Sequence, residues 1–260
     1  MKIQIVFALI LSAGCLARPC KAEIKEQSIG YSVGGVLCEG WRVFDDAKTD
    51  KRPGVLIVHQ WTGLTDYEKL RARMLAELGY TVFAADIYGK GVRPSPPAAG
   101  QEAGKYKNDR KLFRDRLNAA LEVLRSDGNA DPKRLAAIGY CFGGMGVLEL
   151  ARSGADLKGV VSFHGSLDSP TPEDGKNIKA RILALHGADD PFVPPKDVDA
   201  FEGEMKSAAV DYKLIKYPGA VHAFTVKAAG NDNSKGAAYN AEADAKSWEE
   251  MKIFLADVFK

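Results

Sequence analysis

The chain has 260 residues, 46% hydrophobic and 27% charged, which fits one globular domain and calls for no second core. Its 36 basic and 34 acidic residues leave a net charge of +2, so there is no single-signed field to gather nucleic acid or an anionic membrane. No internal repeat, low-complexity tract or heptad pattern points to a solenoid, a disordered tail or a coiled coil.

At the N-terminus Lys2 precedes the apolar run Ile3 to Leu11, the small Ser12-Ala13-Gly14, and Cys20-Lys21-Ala22. That run is too short to span a bilayer as a helix, so residues 1–22 are expected to be a secretory signal peptide, cleaved before Glu23 and sending the protein to the periplasm. Ser12-Ala13-Gly14-Cys15 approximates a lipidation box without Leu at its head, which makes a lipid anchor at Cys15 the lesser alternative. Cleavage leaves Cys38 and Cys141, which make no disulfide framework, and Cys38 is expected to be a small buried hydrophobe. Residues 23–260 then form a single α/β domain.

The mature part opens with a β-hairpin, Gln27 to Val33 and Val36 to Phe44, turning at Gly34-Gly35. Val55-Leu56-Ile57-Val58 reads as a strand buried on both faces. Thr65 and Glu68 form a capping-box pattern, and Tyr67, Leu70, Met74 and Leu78 follow at helical spacing until Gly79, predicting a helix with that stripe in the core. Tyr80 to Ala85 is the next strand, and Gly89 to Gly104 reads as a long loop able to cap a pocket. Phe113, Leu117, Leu121 and Leu124 mark a second amphipathic helix. Beyond it come the apolar run Leu135 to Ile138, a helix from Met145 to Arg152, and strands at Val160 to Phe163 and ending at His186. A helix near Val198 to Ala209, the strand Tyr212 to Tyr217 and a helix from about Ala241 to Phe259 close the chain. Strands alternating with helices predict a mostly parallel central sheet with helices on both faces.

The most informative segment is Gly139-Tyr140-Cys141-Phe142-Gly143-Gly144, which places a thiol on a sharp strand-to-helix turn of the G-x-C-x-G kind. At a helix N-terminus, free N–H groups and the helix dipole favour thiolate over thiol. Asp189-Asp190 follows the strand ending at His186, and His222 follows the strand Tyr212 to Tyr217. Each is on a loop just past a predicted strand end, where α/β sheets carry their sites. The order Cys, Asp, His is the nucleophile, acid, base order of α/β-hydrolases with cysteine in place of serine. A buried cysteine on a glycine-rich turn is the alternative that the hexamer alone leaves open. His59, His164 and His186 each follow or end an apolar run and are expected to be hydrogen-bonded structural residues. No His, Cys or carboxylate pair has metal-ligand spacing, so no metal is expected.

The chain resembles the dienelactone hydrolase family, an α/β-hydrolase branch with a Cys-His-Asp triad. The resemblance runs from about Tyr31 to the C-terminus and rests on Val58-His59-Gln60-Trp61-Thr62-Gly63-Leu64, Ala85-Asp86-Ile87-Tyr88-Gly89, the Cys141 hexamer, His186-Gly187-Ala188-Asp189-Asp190-Pro191-Phe192-Val193-Pro194 and His222-Ala223-Phe224. It implies Cys141 as nucleophile, His222 as base and Asp190 as the orienting acid, chosen over Asp189 by its spacing to Pro194. In such a fold the backbone N–H groups of Trp61 and Phe142 occupy the oxyanion positions. Gln60, Lys90 and Arg93 are the candidate substrate-binding residues. The family's two carboxylate-binding arginines are matched here by Lys90 and, near the second position, Val226, and its glutamate beside the nucleophile by Gln60. The expected activity is hydrolysis of a small-molecule ester or lactone through a thioester, without cofactor, nucleic-acid or membrane partner. A thiol redox sensor or a ligand-binding protein on the same fold is the alternative, and oligomeric state has no signature in the chain.

Overall fold

The computed structural model describes residues 23–260; the expected signal peptide, with Cys15 and Cys20, lies outside the described residues. Eight strands form one sheet: β1 (Ile24–Val33), β2 (Val36–Asp45), β3 (Arg52–Val58), β4 (Thr81–Ala85), β5 (Ala130–Tyr140), β6 (Gly159–Phe163), β7 (Arg181–Gly187) and β8 (Tyr212–Tyr217). Their order is β1-β2-β4-β3-β5-β6-β7-β8, antiparallel over the first two pairings and parallel from β4 onward. The opening hairpin turns at Gly34 and Gly35 with φ of 56° and 77°, the doubly positive geometry that glycine permits and that matches strand twist.

Alternation along the central strands splits the apolar core in two. Leu56 and Val58 of β3 face one layer with Phe113, Met145 and Phe201, whereas Val55 and Ile57 face the other with Leu75, Met251 and Leu255. The first layer is covered by α2 (Ala98–Asn108), α3 (Arg110–Arg125), α4 (Phe142–Arg152) and α5 (Pro195–Ser207), the second by α1 (Asp66–Glu77) and α6 (Ala241–Val258). This is the doubly covered, mostly parallel architecture that the alternating pattern predicts.

Two expectations are corrected. Thr65 and Glu68 do form the capping box of α1, but Leu70 and Leu78 are 49% and 47% exposed, and the buried face is Glu68, Arg71, Ala72, Leu75 and Ala76. Ala72 and Ala76 let the helix approach the sheet, and Arg71 is tolerated inside because Asp244 Oδ1 accepts from its Nη2 at 2.6 Å and the Thr225 carbonyl at 3.1 Å. Hydrophobic spacing cannot foresee a charged residue that the tertiary structure pairs. The second correction concerns the loop Gly89 to Gly104, whose later half is α2. Gly100 and Gly104 weaken helix propensity, but Ala99, Ala103 and Tyr106 are buried, and that packing holds the helix. Cys38 is buried in β2 and accepts from Arg116 Nη1 at 3.4 Å, with burial pushing its thiol pKa up.

Candidate active site

The turn from β5 to α4 is built from close backbone approach. Cys141 has φ 55° and ψ −116°, a strained conformation that its neighbours impose. A Cβ on Gly139 would lie 2.0 Å from the Gly143 carbonyl oxygen, and one on Gly143 would lie 2.1 Å from the Val58 oxygen at the end of β3. Only glycine fits either place. The Cys141 N–H donates to the Phe163 carbonyl of β6 at 3.0 Å, which pins the turn to the sheet.

His222 bridges two residues from distant parts of the chain. Its Nε2 is 3.0 Å from Cys141 Sγ, and its Nδ1–H donates to Asp190 Oδ2 at 2.8 Å. The Asp190 side chain is fully buried, and its Oδ1 accepts from the Phe192 N–H at 2.9 Å. Burial opposes a charge on His222, but the Cys141 thiolate and the Asp190 carboxylate outweigh it and push the pKa up to about 10. Burial likewise opposes ionisation of Cys141, yet the His222 imidazolium beside it, with the Phe142 N–H and the Lys107 charge, holds the thiol below its ordinary value. The two shifts reinforce each other, each charge favouring the other, so the pair leans toward thiolate and imidazolium rather than neutral thiol and imidazole. His164 lies behind it, fully buried, its ring 5.3 Å from that of His222 and its Nε2 2.8 Å from Thr225 Oγ1.

The segment after β3 forms a tight turn in which the Gly63 N–H donates to the Gln60 carbonyl at 3.1 Å. Glu68, buried at the start of α1, accepts from the Gln60 N–H at 3.2 Å and from the Thr65 N–H and hydroxyl at 2.8 and 2.7 Å. Burial raises its pKa despite these donors. Tyr88 OH donates to the Trp61 carbonyl at 2.9 Å. Among the described residues the Trp61 N–H has no protein acceptor, which leaves it available to a ligand oxygen. Also among the described residues, no group of three or more His, Cys, Asp or Glu side chains could hold a metal ion.

A model of the dienelactone hydrolase family matches residues 42–259. The chain belongs to the dienelactone hydrolase family. Among solved structures, m3DLH superposes with a TM-score of 0.88 at 38% identity, covering 91% of this chain and 99% of that one. A dienelactone hydrolase-like promiscuous phosphotriesterase from metagenomic libraries gives 0.87 at 36% identity with the same coverage. A Saccharolobus solfataricus protein provisionally named carboxymethylenebutenolidase is 28% identical over 277 aligned positions, 90% of this chain and 100% of its own. This dienelactone hydrolase relative is a hydrolase of the ester- or lactone-cleaving kind, with the α/β-hydrolase fold.

Not every residue singled out in the sequence converges on Cys141. Lys90 pairs with Glu39 at 2.7 Å and is about half exposed. Arg93 donates from Nε to the Leu64 carbonyl at 2.5 Å and from Nη1 to the Val92 carbonyl at 2.7 Å, so its guanidinium ties the loop after β4 to the turn after β3. Gln60 is buried, with its amide nitrogen 3.5 Å from Glu68 Oε1. All three thus have protein partners in this structure. Two residues near the pair are given no role by the sequence reading. Lys107 belongs to a helix that the sequence hid, and Phe192, 59% exposed, sets its ring edge 5.5 Å from His222.

Asp189 differs from its neighbour in every respect that matters. Exposed, it accepts from the Gly219 N–H at 3.0 Å and closes a turn. Asp190→Asn should therefore lower kcat by roughly 10³–10⁴-fold, as expected when the residue orienting the imidazole loses its charge. Asp189→Asn should stay within a few-fold of wild type, since exposed turn residues away from the chemistry matter little. Steady-state kinetics on both variants decides it, and a larger loss for Asp189→Asn would reverse the assignment of the acid.

Proposed function

We propose that this hydrolase cleaves a carboxylic ester or lactone through a thioester on Cys141. The observation that carries the reading is His222, held at 3.0 Å from Sγ on one side and at 2.8 Å from Asp190 on the other. The Cys141 thiolate attacks the acyl carbon, and the carbonyl electrons move onto oxygen, where the Trp61 and Phe142 N–H groups receive the negative charge. As the C–O bond breaks, His222 delivers its Nε2 proton to the leaving alkoxide. A water enters, gives a proton back to His222 and attacks the thioester, which releases the acid and restores the thiolate. No cofactor takes part.

The test is direct. An aryl ester whose deacylation is slow, mixed with the enzyme and quenched in acid, should leave one acyl mass on the Cys141 peptide that hydroxylamine removes. An acyl group on any other residue would overturn the thioester. The likeness to the phosphotriesterase supports a second reading for the same nucleophile, in which the thiolate displaces an aryloxide from phosphorus and water then cleaves the S–P bond. A dialkyl aryl phosphate in the same assay should leave a phosphoryl mass on Cys141, and its absence would confine the site to carbon esters.

A further inference from the structure

We propose that His59 is a positioning residue that aims the Gln60–Trp61 peptide, and with it the Trp61 N–H, at the substrate oxyanion. The proposal rests on the thioester reading of the site. His59 directly follows β3 and is fully buried. Its Nδ1–H donates to the Gln60 carbonyl at 2.6 Å, and its Nε2 accepts from the Ile87 N–H at 3.2 Å. Both ring nitrogens are thereby used, which fixes one neutral tautomer and one ring orientation. Burial agrees, pushing the pKa down to about 4.

The consequence follows from the peptide unit. It is planar and trans, so its C=O and N–H point in opposite directions and cannot be turned independently. The Gln60 carbonyl is drawn to one side by two donors, His59 Nδ1–H and the Gly63 N–H at 3.1 Å. That hold turns the Trp61 N–H, which has no acceptor among the described residues, to the other side. The His59 ring also stacks on Phe142, with centroids 5.8 Å apart and planes 17° apart, and meets Tyr88 edge-on at 4.6 Å. Tyr88 in turn holds the Trp61 carbonyl at 2.9 Å. A single imidazole thus holds the peptide that carries the Trp61 N–H, stacks on Phe142 and meets the side chain that braces the Trp61 carbonyl.

Oxyanion donors act only where charge develops on the acyl oxygen, so losing their aim should reduce kcat and spare steps that generate no oxyanion. The experiment compares His59→Leu, which cannot donate, with His59→Asn, whose amide nitrogen can stand where Nδ1 stood. With p-nitrophenyl acetate, His59→Leu should lower kcat by roughly 100-fold, the scale for one displaced oxyanion donor, and leave KM within about twofold. Alkylation of Cys141 by iodoacetamide, which proceeds without an oxyanion, should keep its wild-type rate. His59→Asn should recover most of kcat. A wild-type kcat in His59→Leu, a parallel fall of kcat and alkylation rate, or no recovery in His59→Asn would each overturn the proposal. If the leucine variant does not fold, His59→Gln, whose amide falls at the Nε2 position and cannot reach Gln60, gives the same comparison. Cys141→Ala in the same assay separates the two readings: activity retained there sinks the thioester, whereas its loss beside an unimpaired His59→Leu sinks only the role of His59.

Discussion

Cys141→Ala is expected to lower kcat for ester hydrolysis by roughly 10⁵–10⁶-fold, the scale seen when a triad loses its nucleophile, with the fold unchanged. Alanine removes the attacking atom but leaves the backbone of the β5–α4 turn and the Asp190–His222 pair in place. The unmodified enzyme supplies the matching positive result. Because the His222 charge holds the thiol below its ordinary value, the reactive thiolate is present above that lowered pKa and is lost only as pH falls through it. The alkylation rate of wild-type Cys141 should therefore rise and level off at lower pH than that of an ordinary thiol, which is half ionised at about pH 8.5. His222→Ala removes the cation, so its alkylation rate should follow an ordinary thiol and climb steeply toward alkaline pH. An alanine variant at position 141 with near-wild-type kcat would sink the thiol mechanism. An alkylation profile unaffected by His222→Ala would show instead that the ion pair does not control the thiol.

The largest loss of stability is expected from Arg152→Leu, far from the chemistry. Arg152 is fully buried at the end of α4, where Nε and Nη2 donate to the two Glu204 oxygens at 2.9 and 2.7 Å and Nη1 donates to Glu149 at 3.0 Å. Glu149 keeps a second partner in Arg114, whose Nε lies 2.9 Å from it, but among the described residues Glu204 has no other cation in contact. Leucine would leave a buried carboxylate unpaired, a change that costs about 3–5 kcal/mol. Urea unfolding should show that loss, while kcat under native conditions stays close to wild type because α4 keeps its N-terminal turn. In Arg152→Leu/Glu204→Leu both charges are gone, so most of the stability should return. A loss below about 1 kcal/mol in the single variant, the range of an exposed pair, would mean that water or a local rearrangement satisfies Glu204.

The contrast between those two residues shows what a sequence makes legible. Cys141 is announced by glycines at 139 and 143: the first is required within the sharp turn itself, where a Cβ would meet the Gly143 oxygen, and the second by the approach of β3. Arg152 reads as an ordinary charge at a helix end, since its partner Glu204 lies 52 residues away on α5. Leu70 and Leu78 err in the opposite sense, apolar by type and yet exposed, because the face of α1 that meets the sheet was chosen by Ala72, Ala76 and the paired Arg71. Helix α2 escaped detection because Gly100 and Gly104 signal a loop, while the burial that stabilises it involves partners elsewhere in the chain.

By itself the sequence determined the α/β alternation, the hairpin, the elbow and the order of Cys141, Asp190 and His222. These depend on short-range features: strand and helix periodicity, positive φ at glycine, and side chains on loops past strand ends. Only the tertiary structure decided that Lys90, Arg93 and Gln60 have protein partners, that Asp189 closes a turn with Gly219, and that His59 grips the peptide before Trp61. Those outcomes turn on distances between segments that are far apart in the chain or on the rotation of one side chain by one position. Residue type and spacing along the chain do not encode them, because a hydrogen bond depends on where both of its partners are in space.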